Sequence, residues 1–175
     1  LAAAQDGKRI HLESTSSVSG PSWPNGCHVC EVEIDPDTGI CQVLNYVVVD
    51  DVGRVVNPML VKGQVHGGVV QGVGQILFEN IAYDEDGQLL SESFMDYAMP
   101  RADTLPSFSF ETRNVPSTTN ALGMKGAGEA GTIGSTPAVL SAVTDALYRA
   151  YGITHIEMPT TPLRIWSAIN DATAQ

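Results

Sequence analysis

The stretch that decides the fold is CHVCEVEIDPDTGICQVLNYVVVDDV, residues 27–52. It holds two runs rich in β-branched residues, separated by DPDTG, in which Pro36 presets a turn and Gly39 can adopt the positive φ that closes a hairpin. The two runs therefore predict a pair of antiparallel strands. The second run is almost continuously apolar from Val43 to Val49, which is typical of a strand buried on both faces.

A glycine-rich helix is predicted immediately after this hairpin, over residues 58–78. Asn57 is a suitable N-cap, and Pro58 suits the first helical position, where its missing N–H has no consequence. The helix carries glycines at positions 63, 67, 68, 72 and 74, each unfavourable by about 1 kcal/mol relative to alanine. Since positions 63 and 67, and 68 and 72, lie one turn apart, they predict smooth stripes open to another backbone or a flat ligand.

Further elements follow towards the C-terminus. A second hairpin is predicted at Asp86 and Gly87, and a strand within residues 107–115. Thr136 and Pro137 predict a helix start, with the helix running to about residue 151, and a shorter helix is predicted within residues 161–170. Because strands and helices do not alternate regularly, we expect an α+β fold in a single domain over residues 1–175, with a loosely structured start at 1–26.

Composition excludes several classes of function. The 175 residues include 20 acidic and 9 basic side chains, a net charge of −11 that disfavours nucleic acid and anionic membranes as partners. We see no apolar run near the roughly 20 residues that span a bilayer. Three cysteines are few for a disulfide scaffold and favour a reducing compartment, so we expect a cytoplasmic protein and leave the periplasm open.

Two motifs have alternative interpretations. Residues 126–131 match G-x-G-x-x-G, but the nearest predicted strand ends near Val115, so the strand that runs into the first glycine of a dinucleotide-binding unit is missing. Cys27 and Cys30 form a single C-x-x-C, at strand spacing that points the two thiols to opposite faces. Buried apolar roles are therefore favoured over a redox pair or half of a zinc site, and we predict no protein metal ligand.

Glu129, in the loop GMKGAGEAG at 123–131, is the candidate catalytic residue. An arbitrary glutamate is usually a solvated surface residue. Here, however, glycine-rich backbone and a following helix N-terminus surround the carboxylate with N–H groups. Such a carboxylate can act as a general base if an acidic hydroxyl lies within about 3 Å. Nothing else in the sequence supplies that hydroxyl.

Four ordered motifs resemble the molybdenum-binding large subunit of the xanthine oxidase family, in its carbon monoxide dehydrogenase and aldehyde oxidase branch. They are PNGCHVCEVEIDPDTG, YVVVDDVGRVVNPMLVKGQVHGGVVQGVGQ, SFMDYAMPRAD and GMKGAGEAGTIGSTPAV. The resemblance covers residues from about 23 to the end. It implies that the chain is the C-terminal portion of a longer subunit, which agrees with its start at a leucine.

The resemblance also implies the chemistry. The expected cofactor is molybdopterin with molybdenum, with a cytosine dinucleotide form as one option, and FAD and [2Fe-2S] are expected on partner subunits or domains. Glu129 would take the proton from the molybdenum-bound hydroxyl during oxidation of an aldehyde, an N-heterocycle or carbon monoxide. The residues expected to line the cofactor are Gln64, Lys125, Gly126, Ala127 and Gly128.

The implied partners are the N-terminal remainder of the subunit, flavin and iron-sulfur subunits, a second holoenzyme copy in a dimer, and a small-molecule substrate. Because the family's other cofactor loops lie N-terminal to this sequence, we expect the isolated chain to be inactive. The sequence also permits two alternatives. One is a non-catalytic segment for structure and subunit contacts, and the other is a nucleotide-binding module that uses the GAGEAG loop at 126–131.

Overall fold

A computed structural model describes residues 12–174. Three strands form one sheet in the order β1-β2-β3, and three helices complete the α+β fold that the sequence predicts. β1 and β2 are antiparallel, whereas β2 and β3 are parallel. In chain order the elements are β1 (Asn25–Ile34), β2 (Cys41–Asp51), α1 (Pro58–Leu77), β3 (Phe108–Thr112), α2 (Ala130–Tyr151) and α3 (Pro162–Thr173).

The predicted hairpin is β1 and β2. Its turn is held by Asp35, whose carboxylate accepts hydrogen bonds from the Thr38 hydroxyl (2.7 Å) and the Asp37 N–H (3.0 Å), and Gly39 has the expected positive φ of 72°. The expectation that β2 is buried on both faces is wrong. Tyr46 lies on the core face and is fully buried, whereas Leu44 is 48% exposed, so the apolar run alternates between a buried and a more open face.

One hydrophobic core joins the sheet to all three helices. β2 contributes Tyr46 at its centre, and one face of each helix packs around it. The helix residues of this core are Val65, Val69, Val73, Ile76 and Leu77 in α1, Val139, Val143 and Leu147 in α2, and Ile165 and Ile169 in α3. Apolar contact of this kind compensates for the low helix propensity of α1, because burial supplies the free energy that its glycines lack.

α1 and α2 approach each other at glycines. A Cβ on Gly68 would lie 2.9 Å from the Cα of Gly131, and a Cβ on Gly131 would lie 2.4 Å from the carbonyl oxygen of Val65. One of the two stripes predicted on α1 therefore faces another backbone. At its N-terminus, α1 begins as predicted, with the Asn57 side chain accepting a hydrogen bond from the N–H of Leu60 (3.2 Å).

The predicted start of α2 is wrong. Thr136 and Pro137 lie inside the helix, which begins at Ala130 with Glu129 as the N-cap residue. The earlier turns form because Gly131 and Ser135 are buried against α1. Tertiary contact thus extends the helix beyond the proline that signals a start in the sequence.

The remaining segments carry little regular structure. Residues 12–24 contain neither helix nor strand, residues 25–26 of the start predicted to be loose belong to β1, and residues 1–11 lie outside the described part of the chain. At the second predicted hairpin only a single bridge forms, between Tyr83 and Leu89, around Gly87 with φ 81°. No helix among residues 12–174 has the length and hydrophobicity that crossing a bilayer requires.

Candidate functional site

The loop at 123–129 is fastened to the turn between β2 and α1. The N–H of Lys125 donates to the carbonyl oxygen of Val52 (3.0 Å), and the N–H of Arg54 donates to the carbonyl oxygen of Gly123 (2.9 Å). These two bonds join chain segments that lie far apart in sequence. The first half of the loop therefore has a fixed position relative to the end of β2.

Lys125 points inward from this loop. Its ammonium lies 2.5 Å from Oδ2 of Asp51, and the two side chains are only 12% and 9% exposed. The other oxygen of Asp51 accepts hydrogen bonds from the N–H groups of Gly53 (2.8 Å) and Val115 (3.0 Å). Burial raises the pKa of Asp51, but the bonds from Lys125, Val115 and Gly53 outweigh it and lower the pKa to about 2. Asp51 is therefore an ionised, fully bonded carboxylate.

Gln64 holds the other end of the loop. Its Nε2 donates to the carbonyl oxygen of Gly128 at 2.8 Å, so the structure brings together two segments that the sequence assigns to the same site. The surface around this bond is open. A Cβ built on any of four glycines would meet no atom within 4 Å, namely Gly63, Gly67, Gly126 and Gly128. The glycine stripe at 63 and 67 and the glycines of the loop are thus both open, on the two segments that this bond joins.

The loop also presents hydrogen-bond donors on this surface. Among the hydrogen bonds of the described residues, none uses the backbone N–H groups of Gly126, Ala127 or Gly128. Exposed N–H groups without side chains beside them can be approached closely by a flat, polar ligand. Gln64, Gly126, Ala127 and Gly128 can therefore contact such a ligand, whereas the Lys125 side chain is turned away to Asp51.

Glu129 lies at the junction of this loop with α2. It is the N-cap residue of α2; its carbonyl oxygen accepts from the N–H of Ile133 (2.9 Å), but its carboxylate makes no capping hydrogen bond and has no other partner among the described residues. The carboxylate is exposed, one residue from the Gly128 carbonyl that Gln64 binds. An exposed and unpaired carboxylate is available to accept a proton from a group bound beside it.

The G-x-G-x-x-G motif has a different context from that of a dinucleotide-binding unit. Only an isolated bridge at Met124 precedes Gly126, and β3 ends at Thr112, so no strand runs into the first glycine. Gly131, the last glycine of the motif, packs against α1. Its role is close contact between two helices.

A buried polar group that was not predicted from the sequence lies behind α2. Nδ1 of His28 lies 2.9 Å from the hydroxyl of Tyr46, and its Nε2 lies 3.5 Å from Oδ1 of Asp50. Oδ2 of Asp50 is buried and has no partner. A Cβ on Gly134 would lie 2.4 Å from Nε2 of His28, so this group supports the first turns of α2. The available signal was the acidic pair at residues 50–51, which ends an apolar strand.

The cysteines are arranged in part as expected. Cys30 is half-buried against the core, as is Cys41, but Cys27 is exposed, so the predicted burial of Cys27 is wrong. The thiols of Cys27 and Cys30 belong to opposite faces of β1, because residues three apart on a strand alternate. Within residues 12–174, no three His, Cys, Asp or Glu side chains are grouped closely enough to hold a metal ion.

Comparison with known proteins identifies similar sequences and structures. The chain is 45% identical over 156 residues to the nicotine 6-hydroxylase large subunit of Paenarthrobacter nicotinovorans. The aligned region covers 88% of this chain and 19% of that protein. The chain is 35% identical over 150 residues to the carbon monoxide dehydrogenase large chain of Hydrogenophaga pseudoflava, covering 86% and 19%. The chain spans about a fifth of the length of these curated relatives.

Solved structures agree with these sequence matches. A crystal structure of Cu,Mo-CO dehydrogenase superposes with a TM-score of 0.82 at 35% identity, covering 86% of this chain and 19% of that one. Quinoline 2-oxidoreductase from Pseudomonas putida 86 superposes with a TM-score of 0.81 at 38% identity, covering 85% and 19%. A family model described as the molybdopterin cofactor-binding domain matches residues 2–106. The chain therefore belongs to the molybdopterin cofactor-binding domain family, within the molybdenum-binding large subunits of the xanthine oxidase family.

Proposed function

We propose that this chain is the cofactor-binding segment of a molybdenum hydroxylase that oxidises a small molecule. The observation that carries the proposal is the hydrogen bond from Gln64 to Gly128, because it joins the two predicted cofactor segments, each of which carries open glycines. Gln64, Gly126, Ala127 and Gly128 would hold molybdopterin through their amide groups. The cofactor takes a cytosine dinucleotide form in this proposal, with FAD and [2Fe-2S] on partner subunits.

Glu129 is the general base in this proposal. When bound, the molybdenum centre supplies the two-electron oxidation of the substrate. The chain's own contribution is a carboxylate oxygen of Glu129 that accepts a proton during turnover, at a position set by the loop and by the start of α2. Positioned acid–base groups contribute factors of roughly 10² to 10⁴ to rates.

The substrate class follows from the relatives. The names of the similar proteins refer to carbon monoxide, nicotine, quinoline and, for a solved aldehyde oxidoreductase at 26% identity, aldehydes, so we propose an aldehyde, an N-heterocycle or carbon monoxide here. The residues that select among these substrates would lie outside this chain, which spans about a fifth of the relatives. Activity therefore requires the rest of a large subunit in this proposal.

Substitution of Glu129 by glutamine tests the proposal in the intact enzyme that contains this chain. Glutamine keeps the size of the side chain and removes its ability to take a proton. We expect kcat to fall by roughly 10² or more, with the molybdenum content per protein unchanged. The matched control is Glu157→Gln, which alters an exposed glutamate outside the loop. Near-normal turnover of the Glu129 variant with full molybdenum content would refute the role.

A role in subunit contacts is supported by a separate observation. Several large apolar side chains are highly exposed, as expected where another chain or domain normally covers the surface. They include Trp23 (75%), Met59 (74%), Phe94 (81%) and Met95 (95%). We propose that the rest of the large subunit and its partner subunits cover these residues. Hydrogen exchange of the holoenzyme would show protection around them, and unchanged exchange relative to the isolated chain would contradict this.

A further inference from the structure

The loop that bears Glu129 is attached to the rest of the protein near its two ends, at Lys125 and Gly128. Glycine loses more conformational freedom on folding than any other residue, so a loop with Gly126 and Gly128 does not fix its own shape. Between Lys125 and Gly128 the loop makes no hydrogen bond with other described residues. Its geometry therefore depends on the attachments at its two ends.

The attachment at Gly128 is weak and exposed, since it is one amide hydrogen bond from Gln64. The attachment at Lys125 is a buried ion pair with Asp51, reinforced by the backbone bond from Lys125 to Val52. Removing one partner of a buried ion pair leaves an uncompensated charge, which is strongly unfavourable. The Lys125 end is thus the more rigid of the two.

Asp51 ties this end to two other parts of the fold. It accepts from Gly53 in the turn after β2 and from Val115, three residues after the end of β3. One carboxylate therefore joins the turn that leads into α1, the segment that follows β3, and the loop that leads into α2. A change in Asp51 reaches the loop directly through Lys125, and indirectly through the segment after Val115, in which the N–H of Ser117 donates to the carbonyl oxygen of Gly123 (3.0 Å).

We propose that Asp51 and Lys125 are positioning residues, which hold the loop so that Glu129 and the N–H groups at 126–128 face the cofactor. Lys125 acts through Asp51, not as a contact to the cofactor itself, which departs from what the family resemblance implies for this lysine. This inference rests on the proposed function of Glu129. Its physical basis, the inward orientation of the Lys125 ammonium, is independent of that function.

Kinetics of the intact enzyme provide the first test. The variants are Lys125→Met, Asp51→Asn and the double variant, with Lys62→Met as a matched control for loss of an exposed lysine. Asparagine keeps an oxygen for the two N–H donors, and the double variant removes both charges, so it leaves none uncompensated. We expect each single variant to lower kcat by about 10- to 100-fold, the range associated with displacement of a reacting group by about 1 Å.

The pattern of effects separates positioning from direct contact. We expect molybdenum content and KM to be unchanged in the single variants. The kcat of the double variant should be no lower than that of the more damaging single variant. Lys125→Arg keeps the positive charge and should retain most of the activity. Loss of molybdenum from the Lys125→Met enzyme alone would overturn the proposal, since it would indicate a cofactor contact. Multiplicative losses in the double variant would also overturn it.

A second measurement needs no activity. NMR relaxation of the 175-residue chain reports the order parameters of the amides at 126–129, and we expect them to fall in Lys125→Met and Asp51→Asn but not in Lys62→Met. Unchanged order parameters would refute the positioning role even if Glu129 proves essential. Conversely, looser loops in the variants together with an active Glu129→Gln enzyme would refute the proposed base and leave the positioning role intact.

Discussion

The contact between α1 and α2 should give alanine substitutions at different glycines of α1 opposite effects on stability. Alanine at Gly72 would place its Cβ 1.9 Å from the hydroxyl of Ser135 and 2.9 Å from the backbone nitrogen of Thr136. The hydroxyl can rotate away, but the backbone nitrogen cannot. Alanine at Gly68 would meet only backbone, with its Cβ 2.8 Å from the nitrogen of Thr132. Both substitutions therefore require the two helices to move apart.

The magnitude follows from two opposing effects. Overpacking of a close contact costs typically 1–3 kcal/mol, and separation of the helices also weakens neighbouring core contacts, so the cost is at or above the upper end, about 3 kcal/mol. Alanine gains about 1 kcal/mol over glycine in helix propensity. The expected net change is a loss of about 2 kcal/mol for Gly68→Ala and somewhat less for Gly72→Ala, where Ser135 can adjust.

Gly63 and Gly67 are the matched controls in the same helix. A Cβ on either meets nothing within 4 Å. The propensity gain is then unopposed, and each alanine substitution should stabilise the isolated chain by about 0.4–1 kcal/mol. The sign of the effect thus depends only on which side of α1 the glycine occupies.

Thermal unfolding of the 175-residue chain, followed by circular dichroism, measures these changes. A change of 1 kcal/mol corresponds to about 2–4 °C for a domain of this size. We expect Tm to fall by about 4–8 °C in Gly68→Ala and to rise by about 1–4 °C in Gly63→Ala and Gly67→Ala. A rise in Gly68→Ala would refute the close approach of α1 and α2, and a fall in both controls would refute the open space around Gly63 and Gly67.

Two further predictions concern titratable groups. Since the folded-state pKa of Asp51 is lowered to about 2 from its usual 3.8, its ionisation contributes at most about 2 kcal/mol of stability above pH 4, which is lost as the pH falls towards 2. Urea unfolding should therefore show the stability gap between wild type and Asp51→Asn closing between pH 4 and pH 2, whereas a constant gap would contradict the assignment. Burial raises the pKa of Cys30 to about 11, and burial with the nearby Cys30 raises that of Cys41 to about 12. Because the thiolate is the reactive form, iodoacetamide at pH 8 should modify the exposed Cys27 first, as mass spectrometry would show, and equal rates at all three thiols would be inconsistent with this burial.

The elements predicted correctly are those whose signals are local. The turn residues between β1 and β2, and Asn57 with Pro58 at the start of α1, act within a few positions of the structure that they specify. The start of α2 was wrong because its first turns are stabilised by packing on α1 rather than by a cap. Such packing involves residues more than 60 positions apart, which periodicity does not reveal.

The candidate site also has a part that could be predicted from the sequence and a part that could not. Glycine-rich composition and family resemblance pointed to Gln64 and the loop at 126–129, which the structure places side by side. The inward orientation of Lys125 was not predictable, because its partner Asp51 lies 74 positions away and had no assigned role. In a sequence, a lysine beside several glycines indicates a contact with a ligand. Only the fold shows that the ammonium of Lys125 is instead bound by the buried carboxylate of Asp51.

The parallel pairing of β2 with β3 has a consequence for how the chain folds. β1 and β2 can pair through a six-residue connection, residues 35–40, but β3 joins β2 only after the segment 52–107 has closed into a loop. Contacts between residues so distant in sequence form slowly, because loop closure must precede the contacts that stabilise it. During synthesis, the edge of β2 that accepts β3 therefore stays open until Phe108–Thr112 emerges, and neighbouring nascent chains can compete for that edge.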